Sequence, residues 1–137
     1  MIDPGALSVG DELPELGAPP ISRLTLALYA GASGDHNPIH VDLDFARQSG
    51  LDDVLAHGML AMAYIGRALT SSVPRQSIRA LKARFVSPIP VHDRLTVTGV
   101  VTGHVEDRDE TFATVALSAT NEAGIVRVTG EAWIGPV

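Results

Sequence analysis

The segment that most constrains this chain is Gly58–Thr70, GMLAMAYIGRALT, which is apolar almost all the way round and rich in Ala and Gly. Read as a helix it has no polar face, so it must be buried, and its small side chains let another layer pack close against it. Ser71, Ser72 and Pro74 end it. Everything beyond reads as strand. Ile78–Val86 alternates in part, and Leu95–Val105 and Thr111–Ala119 are rich in β-branched residues at near period two. Glu106–Glu110 is expected to join the latter two as a charged hairpin loop. Asn121–Gly124 is a turn, and Ile125–Ile134 is the last strand. Strands joined by short loops pair antiparallel, which predicts a meander of four strands wrapped round the apolar helix, an α+β domain.

Upstream, Gly10, Pro14, Gly17, Pro19 and Pro20 make residues 1–20 a lead-in with at most one short edge strand. Ser22 is a fitting N-cap for a helix carrying Leu24, Leu26, Leu28 and Tyr29. That helix should end near Gly34, because Gly31 and Gly34 weaken it and Pro38 cannot lie inside it. Asp42 or Asp44 can cap a short helix over Phe45–Ser49, closed by Gly50. With no internal repeat, linker or low-complexity tract, residues 1–137 read as one domain.

Between the helices runs Gly34-Asp35-His36-Asn37-Pro38-Ile39-His40. Ionisable residues at this density have little to offer a core, since burying each costs free energy unless it is paired. Asp35 falls just past a helix end, and the rigid turn at Pro38 can fold His40 back onto it. A carboxylate beside an imidazole supports general acid–base work near neutral pH, with Asn37 placed to orient one of them through its amide. The same string is also good turn chemistry, with Asp35 as a cap. His57-Gly58 opens the apolar helix. The unpaired amides and positive dipole end there suit an anion or a polarised carbonyl, and glycine admits close approach. A plain packing glycine is the alternative. His36 and His40 make a poor metal pair: Pro38 breaks their register and no third ligand stands at a familiar spacing. No Gly-x-Ser-x-Gly frame supports a serine nucleophile.

Composition narrows the classes. Apolar residues make up 45% but aromatics only 4%, so Val, Leu, Ile and Ala must build the core. The absence of cysteine excludes disulfides, thiol nucleophiles and thiolate metal sites. A net charge of −6 argues against a nucleic-acid partner. Arg75, Arg79, Lys82 and Arg84 cluster locally, as a solvated strand face or as ligand contacts. No run approaches a membrane span. The acidic N-terminus lacks a basic-then-apolar signal pattern, so a cytoplasmic location is expected.

Tyr29-Ala30-Gly31-x-Ser33-Gly34-Asp35-x-Asn37-Pro38-Ile39-His40, with Ala56-His57-Gly58-Met59 following, closely resembles the hydratase motif of MaoC-like (R)-specific enoyl-thioester hydratases and dehydratases. Weaker similarity covers most of the chain, including Arg84-Phe85-x-x-Pro88. In detail it looks most like the catalytic B-type subunit of actinobacterial (3R)-hydroxyacyl-ACP dehydratases. The resemblance implies a hot-dog fold, an antiparallel sheet curled round one long helix. It implies reversible syn hydration of a trans-2-enoyl-CoA or enoyl-ACP by Asp35 and His40, with the Gly58 amide, and with Asn37 and His57, at the oxyanion and substrate side. It implies no cofactor and no metal, since the thioester itself acidifies C2. It also implies a homodimer, or a heterodimer with a related hot-dog subunit. Two rival functions on the same fold are an acyl-thioesterase and a non-catalytic subunit. Two positions depart from the family pattern: Ala63-Tyr64-Ile65-Gly66 lacks a Ser that some relatives carry, and a loop often written Pro-Gly-Asp reads Val91-His92-Asp93.

Overall fold

A computed structural model describes residues Met1–Val137. Along the chain lie β1 (Leu16–Gly17), α1 (Arg23–Ser33), a 3₁₀ turn (Pro38–His40), α2 (Leu43–Gln48), α3 (Gly58–Ser72), β2 (Ile78–Phe85), β3 (Thr96–Asp107), β4 (Glu110–Thr120) and β5 (Val126–Ile134). Local chemistry sets the boundaries. The Ser22 hydroxyl accepts from the Thr25 N–H to start α1, and Gly34 ends it at φ 76°, a left-handed conformation that glycine adopts without steric cost. Asp42 caps α2 through the Phe45 N–H.

The five strands form one antiparallel sheet in the order β1-β3-β4-β5-β2. The expected meander therefore holds only for β3, β4 and β5. β2 pairs with β5 from Ile78↔Ile134 to Phe85↔Val128 and never meets β3. The reason lies in the connection. Val86–Leu95 carries Pro88 and Pro90, and Ile89, Val91 and Leu95 are buried along it. It is a crossing segment that joins the core, not a tight turn. The charged loop expected over Glu106–Glu110 shrinks to Arg108-Asp109, at φ 48° and 64°. Two left-handed residues suit a hairpin turn whose twist matches its strands, so both strands run further than expected.

One core of 25 buried residues joins Leu60, Ala61, Ile65, Ala68 and Leu69 of α3 to Val97, Val101, Val115, Leu117, Val128 and Ala132 of the sheet. α3 is the central helix but is not wholly enclosed: Met59, Ala63, Arg67 and Thr70 form an exposed stripe down it. A five-stranded sheet curls round one side of a helix and cannot close over the other. Arg75, Arg79, Lys82 and Arg84 are all exposed, as expected for a solvated face. No helix is long and apolar enough to cross a membrane.

Candidate active site

The polar run and the start of α3 meet because the backbone between them is sewn down at several points. The Leu55 N–H donates to the Ile39 carbonyl at 3.0 Å, and the Ala56 N–H to the Ile89 carbonyl at 2.7 Å. Val91 N–H donates to the Val54 carbonyl at 3.2 Å. These bonds bring the turn at Pro38, the entry to α3 and the crossing segment to one place.

His40 is held there by its Nδ1, 2.7 Å from the Leu55 carbonyl. A carbonyl can only accept, so Nδ1 carries a proton and Nε2 is the atom left for chemistry. Nε2 lies 3.7 Å from Asp35 Oδ2, beyond a direct hydrogen bond. The His40 side chain is 12% exposed and that of Asp35 52%, so the carboxylate is the wetter partner. Asn37 serves the pair differently from expectation. Its backbone N–H donates to Asp35 Oδ1 at 3.2 Å, while its side-chain oxygen caps the 3₁₀ turn through the Ile39 N–H at 3.1 Å. The turn reading of this string therefore holds, with Asp35 and His40 side by side upon it. His36 is exposed and stands outside the cluster.

His57 also departs from expectation. It is 1% exposed, with its ring stacked on His40 at 3.8 Å and 25° and Tyr29 packed edge-on at 4.8 Å. Its Nε2 lies 3.2 Å from the Asp35 carbonyl, and Nδ1 is buried without a partner. The side chain lies beneath the pocket and does not line it, because the N-terminal turn of α3 points only Gly58 and Met59 outward. Burial holds the His57 pKa below the ordinary imidazole value, and His40 pushes the same way against the opposing pull of Asp35.

Asp35, His40 and His57 bring ligand-capable atoms within 4.8 Å of one another, so the fold supplies the third ligand that spacing along the chain did not. Their directions do not suit a metal. Two rings stacked at 3.8 Å aim their lone pairs side by side, whereas an ion must lie in both ring planes at about 2 Å from each nitrogen.

Above the pair opens a pocket of about 430 Å³. Asp35, His40 and Gly58 form its polar side, and Leu55, Met59, Phe85 and Ile89 its apolar side. No side chain caps the start of α3, which leaves its first amides to the pocket. A Cβ on Gly58 would lie 3.0 Å from the Phe85 ring, so glycine is what lets this wall close. Leu55 and Ile89 gave no signal in the sequence as site residues, since Leu55 works through its carbonyl and Ile89 arrives by the crossing segment. Phe85 was visible only as part of Arg84-Phe85-x-x-Pro88. A larger groove of about 530 Å³ between Glu12–Glu15 and β3–β4 contains no histidine, and its carboxylates have no base beside them.

Comparison with known proteins agrees with this architecture. Residues 10–123 match the family described as MaoC like domain. The (R)-specific enoyl-CoA hydratase of Rhodospirillum rubrum is 34% identical over 116 residues, which span 83% of this chain and 78% of that protein. The 3-hydroxyacyl-thioester dehydratase Z of Mycobacterium tuberculosis is 28% identical over 123 residues, 85% of this chain and 81% of that one. The unliganded (R)-hydratase PhaJ1 of Pseudomonas aeruginosa superposes with a TM-score of 0.84 at 30% identity, covering 98% of this chain and 86% of its own. With the motif, the curled sheet and the family match in agreement, the chain belongs to the MaoC-like domain family and has its hot-dog fold.

Proposed function

We infer that this chain is an (R)-specific enoyl-thioester hydratase, or in the reverse direction a (3R)-hydroxyacyl-thioester dehydratase, acting through Asp35 and His40. The observation that carries the reading is the 3.7 Å gap between Asp35 Oδ2 and His40 Nε2 at the mouth of a half-apolar pocket. It is too wide for a direct bond and suits a water held by both. One member of the pair removes a proton from that water as its oxygen bonds to C3. The C2=C3 π electrons move into the thioester, whose oxygen takes on negative charge against the Gly58 N–H at the positive end of α3. Collapse of that enolate takes a proton at C2 from the other member. The hydroxyl at C3 and the proton at C2 arrive from one side of the substrate, so addition is syn. A proton shift across the gap then resets the pair. The hydro-lyase needs no cofactor for this, because the thioester already acidifies C2.

Residues 1–137 act as one catalytic unit, in the cytoplasm, on CoA or acyl-carrier-protein thioesters. The outer edge of β2 has no strand beside it, which supports assembly with a second hot-dog subunit, identical or related. The finer reading as a B-type dehydratase subunit rests on the resemblance of the Tyr29–His40 and Ala56–Met59 motifs alone.

The test is loss of the conjugated absorbance of crotonyl-CoA or a longer enoyl-CoA, followed with a free-thiol reagent alongside. Hydration without thiol release is the expected result. Thiol release in its place would make the enzyme a thioesterase. Wild-type rates in both Asp35→Asn and His40→Ala would overturn the assignment of the pair.

A further inference from the structure

Directly under the pair lies an imidazole that this chemistry leaves idle. The backbone carbonyl of Asp35 faces His57 Nε2 at 3.2 Å, so that nitrogen carries the ring proton. A second proton on Nδ1 would put a buried cation with no acceptor against the face of His40, a costly arrangement. His57 is therefore neutral, with its proton on Nε2.

Each member of the pair is underdetermined by its other contacts. His40 is pinned at Nδ1 alone, which leaves its ring free to swing about that one hydrogen bond. Asp35 stands on an exposed loop past the end of α1, where its bonds to Ser33 Oγ and from the Asn37 N–H reach only two residues along the chain and do not tie it to α3. Both missing constraints come from one side chain: the His57 ring is a flat floor under His40, and its N–H holds the Asp35 backbone. Tyr29, packed edge-on at 65°, fixes that floor in turn. Tyr29, Asp35 and His40 are the titratable groups that face it.

We propose that His57 is a positioning residue which sets the separation of Asp35 and His40, by hydrogen bonding to the one and stacking under the other, while adding no charge to the site. This rests on the reading of Asp35 and His40 as the acid–base pair. It reassigns His57 from the substrate side of the pocket to its foundation.

Two variants separate its two contacts. His57→Phe keeps the flat ring and removes the donor, and His57→Gln keeps a donor and removes the ring. The expected result for each is a kcat for crotonyl-CoA hydration lowered about 10- to 100-fold, the scale of a small misplacement of reacting groups, with KM little changed. A wild-type kcat in both, or a change confined to KM, would overturn the proposal. Ring-nitrogen NMR of the wild-type protein gives a readout independent of turnover and of variant folding. His57 should show one neutral form, protonated at Nε2, at neutral pH, and a charged ring or a proton on Nδ1 would refute it. Asp35→Asn and His40→Ala run in parallel identify the other failure: if they keep full activity the pair is wrong, whatever the NMR says of His57.

Discussion

Two polar clusters lie along the same crossing segment, and they are built in opposite ways. In the first, the buried Asp93 carboxylate takes a 2.9 Å bond from Arg127 Nε, Arg127 Nη1 donates to Ser87 Oγ at 3.2 Å, and Ser87 Oγ donates on to the Val126 carbonyl at 2.9 Å. Those contacts tie the start of β5 to both ends of the segment. In the second, Asp35 and His40 stand 3.7 Å apart, and His57 Nδ1 beneath them has no partner. A completed network is scaffold, since each buried polar group has what water would have given it. A network left open at its centre is a place for something else to bind. The contrast teaches that unspent hydrogen-bonding capacity, more than polarity itself, separates site from support.

The contrast breaks first, and by the largest effect, at the open cluster. Asp35→Asn or His40→Ala should lower hydration of an enoyl-CoA at least ~100-fold, while thermal unfolding shifts little. The satisfied cluster should behave in reverse. Arg127→Met strands a buried carboxylate and should cost about 3–5 kcal/mol in urea unfolding, with kcat of the folded enzyme close to wild type. If Arg127→Met silenced the enzyme without destabilising it, the division would be wrong.

A smaller effect sharpens the comparison through pH. Folded His57 binds its proton less readily than in the unfolded chain, whose reference value is 6.5. Below that pH the unfolded state takes up more protons, so stability is full above it and falls as the solution is acidified. His57→Gln should flatten that fall below about pH 6.5, read as the midpoint of thermal unfolding. Asp53, held low by its bond to Arg23, and Glu122, held low first by the Arg94 N–H, lose their contributions only in the carboxylate range below this window.

The smallest expected effect lies beside the satisfied cluster. His92, in the loop Val91-His92-Asp93, holds φ 75°, a left-handed backbone. His92→Gly should stabilise the fold by about 0.5 kcal/mol, measured by urea unfolding, because glycine adopts that backbone without the steric cost. Activity should not change.

Much of this was legible from local chemistry. Ser22, Gly34, Asp42 and Gly58 each mark a helix boundary where the chain has one, since capping and left-handed turns depend on neighbours a few residues away. The proximity of Asp35 and His40 was legible for the same reason: the turn at Pro38 folds them together. The position of β2 was not, because a proline-bearing connection does not say which sheet edge its strand will join. The exposed stripe on α3 was hidden too, since residue type says that a helix is apolar and not how far a sheet can reach round it.

His57 shows where the boundary falls. Its place at the head of the apolar helix follows from the order of residues along the chain. Its partners, Asp35 twenty-two positions upstream and the face of His40, come only from the packing of three segments into one corner. Backbone geometry is a short-range property that a few neighbouring residues determine. Which atoms are buried, paired or left without a partner depends on contacts between distant segments, and only the folded chain decides those.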